Sequence, residues 1–137
     1  MAVRIVRLGT PRSADEGTRI GAVRRQPRGV PKADYARRNY YDVWLPELAP
    51  SAGVVSWALS EPFTPKRWAQ YRRIYLREMR APVPQRLIAL LAALSHQTNF
   101  SVGCYCADES HCHRSLLKEL LVAAGAAVAE GSPASGE

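Results

Sequence analysis

The chain has 137 residues, 47% hydrophobic and 23% charged, with a formal net charge of +7. That length suits one domain with its own core, needs no disulfide framework, and leaves three cysteines that cannot all pair within the chain. No run approaches the roughly 20 apolar residues of a membrane-spanning helix, and Arg4 and Arg7 interrupt the apolar start in a way that argues against a signal peptide, so the expectation is a reduced, cytoplasmic protein without a membrane partner.

Val3–Leu8 ("VRIVRL") alternates apolar and basic residues at period two, the pattern of a half-covered strand, and Gly9, Thr10 and Pro11 end it. From Arg12 to about Lys32 the pattern predicts one long connection rich in glycine and proline. This stretch also carries much of the charge. Residues 1–40 set ten basic residues against three acidic ones, whereas residues 41–137 balance nine against nine. A localised basic segment suits a polyanion or a phosphorylated small molecule; the plainer reading is a solvated arginine-rich loop. Tyr40–Leu45 ("YYDVWL") is rich in β-formers, stops at Pro46, and predicts a second strand.

Helices follow. Ser51 is a suitable N-cap ahead of Val54, Val55, Trp57 and Ala58. Thr64 caps a better one, with Pro65 at its first position and Trp68, Tyr71, Tyr75 and Met79 on one face, a stripe that reads as core. Pro84–Gln97 predicts a third helix, with His96 at its last turn, where a structural role suits an imidazole. Phe100–Cys106 ("FSVGCYC") reads as a strand, residues 112–124 as a closing helix stopped by Gly125, and Ala126–Glu130 as a short edge strand. The fold class predicted is α/β, a single domain over residues 1–130 with a small, mainly parallel sheet covered by helices, and a disordered tail over 131–137. In such folds ligands bind beyond the carboxyl ends of the strands.

All three cysteines, two of the three histidines and Arg114 fall between Cys104 and Arg114. In an extended strand Phe100, Val102, Cys104 and Cys106 share a face, which brings Cys106 out at the strand's end. With Ser110 (or Asp108) as N-cap, His111, Cys112 and His113 would open the helix, where unpaired N–H groups favour anions and thiolates. Three readings stand. In a ligand pocket, Cys106 or Cys112 is a nucleophilic or redox thiol, His113 its base, and Arg114 the partner of a phosphate or carboxylate. In a zinc site, Cys104, Cys106, Cys112 and one of His111 or His113 are the ligands, although the spacing is not that of paired zinc knuckles. In a structural reading the cysteines are simply buried. The first is preferred, with no metal and no cofactor.

The stretches "GTPRSADEGTRIGAVRRQPRGVPK", "YYDVWLPELAPS" and "CYCADESHCHRSLL" together resemble the YeaO-like family, domain of unknown function 488, and "CHRSLL" resembles its Cys-His-Arg branch. The resemblance implies a compact α/β domain with an enzyme-like or nucleic-acid-related role, without specifying an activity. It directs attention to the basic segment: Arg12 and Arg19 follow the first strand and Asp42 lies in the second. The expectation is an anion-binding crevice in which Arg12, Arg19 and Arg114 hold a phosphate-bearing ligand, a nucleotide or nucleic acid. Asp42 lines it or pairs with an arginine of the basic segment, and Trp44 belongs to the core. The rivals are a non-catalytic nucleic-acid-binding module and a zinc-stabilised interaction domain.

Overall fold

In the computed structural model, which describes residues 1–106, 108 and 111–129, Val3–Arg7 forms strand β1 and its period-two pattern splits between two environments. Val3 and Ile5 pack among helices, whereas Val6 joins a separate cluster and Arg4 reaches Asp15. Phe100–Cys104 forms β4, buried along its whole length because it lies between two partners. β1 runs parallel to it from Val3 opposite Phe100 to Arg7 opposite Cys104. On its other side lies β2, Thr18–Gly21, with Ile20 opposite Val102. β3, Val43–Trp44, completes the parallel order β1-β4-β2-β3.

Three sequence expectations change here. The long connection from Arg12 to Lys32 contains β2, which Gly17 before it, Gly21 at its end and the charge of Arg19 disguise. The strand predicted over Tyr40–Leu45 contracts to Val43–Trp44, because Tyr41 turns over the back of the sheet against Gly21, where a Cβ would strike its ring. Trp44 is not core: it remains 36% exposed at the sheet edge and donates from Nε1 to the Val23 carbonyl at 2.7 Å.

The four predicted helices form, with shifts at some ends. α1 spans Ala52–Leu59 with Ser51 at the N-cap, but the cap's side chain makes no capping bond; its N–H instead donates to Glu78. α2 spans Pro65–Glu78, and Thr64 accepts from the Arg67 N–H. α3, Pro82–Leu94, starts and ends earlier than predicted, since Pro82 already supplies the N-terminal proline; His96 lies beyond it and contacts the Gly125 carbonyl at 2.7 Å. α4 spans His113–Ala123, and Gly125 follows it at φ +94. The edge strand expected after it is a single bridge of Val128 to Val3. The tail over 131–137 lies outside the described residues.

The main core lies between the sheet and the helices. Val3, Ile5, Phe100 and Val102 meet Tyr75, Ile88, Leu117 and Leu121 there. Full burial of each large side chain is worth about 1.5–3 kcal/mol. Among the described residues no helix is long and apolar enough to cross a membrane.

Candidate active site

β4 ends at Cys104 and α4 begins at His113, so the described residues between them lie at the carboxyl end of the sheet's central strand. Beside them opens a cavity of about 250 Å³. Its floor carries Cys104, Cys106, Cys112 and His113; Phe63 and Tyr71 stand on one wall, and residues of α1 form another. Val23, Arg24 and Arg25, which follow β2, complete it. Tyr71 and His113 also tie the walls together, for the His113 backbone N–H donates to the Tyr71 hydroxyl oxygen, and burial raises the Tyr71 pKa.

The helix start differs from the expectation. Cys112, not Ser110 or Asp108, is the N-cap, and His113 is the first helical residue. Ser110 lies outside the described residues. Asp108 instead faces His111, whose Nδ1 is 3.0 Å from Oδ2, and the His111 ring packs against Phe63 and Trp68.

The three thiols are free and converge, with their Sγ atoms all within 4.8 Å of one another. Cys104 and Cys112 are buried and Cys106 is exposed; the strand predicted through Cys106 stops at Cys104, so Cys106 lies just past its end and not on it. Of the four ligands weighed for zinc, these three come together, while His111 is not part of the group. His113 is the histidine beside them. Its Nε2 meets the Ala22 carbonyl, which can only accept, so Nε2 carries the proton. The lone pair of Nδ1 then faces Cys112 Sγ at 3.8 Å.

Electrostatics keep His113 and Cys106 neutral. Burial lowers the His113 pKa to about 4, and the Arg114 charge pushes the same way, while the bond to Ala22 opposes them. Burial raises the Cys106 pKa, outweighing the pull of Arg114 and Arg7. At neutral pH the pocket floor thus holds a neutral imidazole and a protonated Cys106.

The arginine crevice expected from the sequence is not assembled. Arg12 pairs with Asp42 at 2.8 Å, the alternative partner foreseen for that carboxylate. Arg19 is buried and bonded to Glu16 through Nε and Nη2, while its Nη1 reaches the Thr10 and Asn39 carbonyls. These residues hold loops against the sheet. Arg114 is buried as well and donates from Nη1 to the Val6 carbonyl; it acts on the pocket through its charge. The basic segment does reach the cavity, but through Arg24 and Arg25. Arg24 donates to the Pro50 and Ala49 carbonyls and Arg25 to Ser56 Oγ, which fixes both guanidiniums beside it. The sequence had marked the segment as basic without saying which arginines meet the thiols, and Tyr71 was read only as core.

The family model described as the active DUF488-N3 subclade matches residues 3–125. The chain belongs to the DUF488 family. The match takes in all four strands and all four helices of this DUF488 domain, together with the whole thiol cluster. No curated protein and no solved structure matches the chain.

Proposed function

We propose that this DUF488 domain binds a phosphate-bearing ligand, a nucleotide or a nucleotide of a nucleic acid, and processes it with a pocket thiol. One observation carries the reading: the same cavity is lined by Arg24 and Arg25 and by the thiols with His113. Its apolar and aromatic walls suit a planar base, and guanidiniums at the rim suit the phosphate. Cys106, exposed at the mouth, is the nucleophile; Cys112 is the thiol whose proton His113 Nδ1 faces. The description of the matching family model as an active subclade agrees with a catalytic role. Arg12, Arg19 and Asp42 brace the loops and take no part in binding.

The test is thermal melting of the wild type and Arg25→Ala with nucleoside monophosphates and with inorganic phosphate. A ligand at 100 times its Kd adds about 2.7 kcal/mol of stability. Nucleotides should raise the melting temperature more than phosphate does, and Arg25→Ala should reduce the shift. Equal, absent or unchanged shifts would remove the nucleotide reading.

A non-catalytic nucleic-acid-binding role has its own support, since Arg25, Arg28, Lys32 and Arg38 are exposed along one continuous segment. Binding of double-stranded DNA or RNA would then weaken with salt, with a slope that falls when these charges are neutralised. Cys106→Ser would leave that binding unchanged.

A further inference from the structure

We propose that the pocket floor is a thiol–disulfide exchange centre: Cys106 takes up a low-molecular-weight disulfide from solvent, and Cys112 resolves the mixed disulfide. The inference rests on the reactive-thiol part of the reading above and not on the phosphate part. Three observations lead to it. The cluster joins one exposed sulfur to two buried ones, all within 4.8 Å, so a small movement brings any pair into bonding contact. The exposed sulfur lies two residues past Cys104, the last residue of β4, and so beyond the ladder that fixes the strand. His113 Nδ1, its lone pair kept free by the bond from Nε2 to Ala22, faces Cys112 and not solvent.

The chemistry balances without a cofactor. Cys106 loses its proton to solvent and attacks one sulfur of the disulfide. A Cys106–S–S–R bond forms, the R–S–S–R bond breaks, and the first thiolate leaves and is protonated by water. Cys112 attacks Cys106 Sγ as its proton is drawn toward His113 Nδ1. The Cys106–Cys112 bond forms, the second thiolate departs, and the proton is relayed to it past Nδ1, with no net change at the imidazole. Two protein thiols are oxidised and one small disulfide is reduced to two thiols. Arg24 and Arg25 beside the cavity favour a disulfide that carries carboxylates. Cys104 is buried, as Cys112 is, and is not required by this sequence of steps.

The experiment treats reduced full-length protein with oxidised glutathione and reads intact mass and disulfide-linked peptides over time. Wild type should pass through a transient adduct to a species lighter by two hydrogens, with Cys106 joined to Cys112. Cys112→Ser should trap the adduct on Cys106, Cys104→Ser should still resolve it, and Cys106→Ser should take up much less glutathione. Should Cys112→Ser fail to fold, the linkage found in wild type decides the matter alone. A stable adduct on wild type, a Cys104 linkage in place of the Cys112 one, or resolution undiminished in Cys112→Ser would overturn the proposal. Elemental analysis showing one tightly held metal per chain that shields all three thiols would overturn it too. Nucleotide-induced melting shifts are measured separately with the thiols reduced, so exchange can fail while nucleotide binding stands, and the reverse.

Discussion

Arg19 and Glu16 meet as a two-pronged ion pair sealed from water, with Nε 2.7 Å from one carboxylate oxygen and Nη2 2.9 Å from the other. Ser101 Oγ on β4 donates to the same carboxylate at 2.6 Å. The pair therefore links β2, the β1–β2 connection and the central strand behind the pocket. Removing one member of a buried pair strands the other, which costs about 3–5 kcal/mol. Glu16→Gln should lower stability by about that amount in urea unfolding at neutral pH. A loss below about 1 kcal/mol would show that the loops hold without it.

The same carboxylate should shape the acid limb of the stability curve. Burial alone would raise the Glu16 pKa, but the bonds from Arg19 and Ser101 and the Arg19 charge bring it below its ordinary 4.5. Asp42 is lowered in the same way by Arg12 and the Arg19 backbone. A depressed carboxyl pKa gives stability that is complete above the unfolded value and lost as the pH falls through the folded one. Wild type should thus lose stability steeply below about pH 4.5, and Glu16→Gln should lose less over that range. Parallel curves for the two proteins would exclude this role.

His113 acts in a higher window. Its pKa is 6.5 when free and about 4 in the folded protein, so on acidification the unfolded chain binds the proton first. Stability should be at its plateau above pH 6.5 and decline towards pH 4, by about 3 kcal/mol at about 1.4 kcal/mol per unit. Nuclear magnetic resonance of the imidazole offers a direct check: His113 should remain neutral at pH 5.5. A midpoint near 6.5 would disprove it.

At Gly103, on the back of β4, a Cβ would lie 2.5 Å from the Val6 carbonyl oxygen and 2.9 Å from Val6 Cγ2. Backbone cannot give way as a flexible side chain can, so Gly103→Ala should cost at least about 2 kcal/mol. Tyr75→Phe, which removes only the 2.8 Å bond to the Leu48 carbonyl, should cost about 1 kcal/mol. Thermal melting of the two variants compares them, and the reverse order would contradict the packing described.

The elements legible in the sequence were those with long periods or strong punctuation. β1, β4 and α2 follow from alternation or from a cap followed by proline, and the order of elements led to the α/β class. β2 was hidden because a four-residue strand held by buried charge shows no apolar alternation: Arg19 lies where a hydrophobic residue would have signalled a core face. The residues of the cysteine segment line the cavity because they are close in sequence and join the end of β4 to the start of α4, a proximity that spacing alone makes legible. The rim was not legible, since which arginine of a long loop reaches a cavity depends on how that loop crosses the sheet. Arg12 and Arg19 have acidic partners close by, which no spacing rule ranks above a ligand.

β4 is central in space but late in the chain. β1 and β2 do not pair with each other; each pairs with a strand that begins at Phe100. As the chain is synthesised, residues 3–21 emerge with their main ladder partner still some 80 residues away, and only the short β2–β3 pairing can form early. The sheet closes only when β4 inserts between two waiting edges, which makes its assembly non-local and correspondingly slow. Until then both edges are open to strands of other chains. The segment that carries the first two cysteines is therefore also the one that commits the domain to its fold.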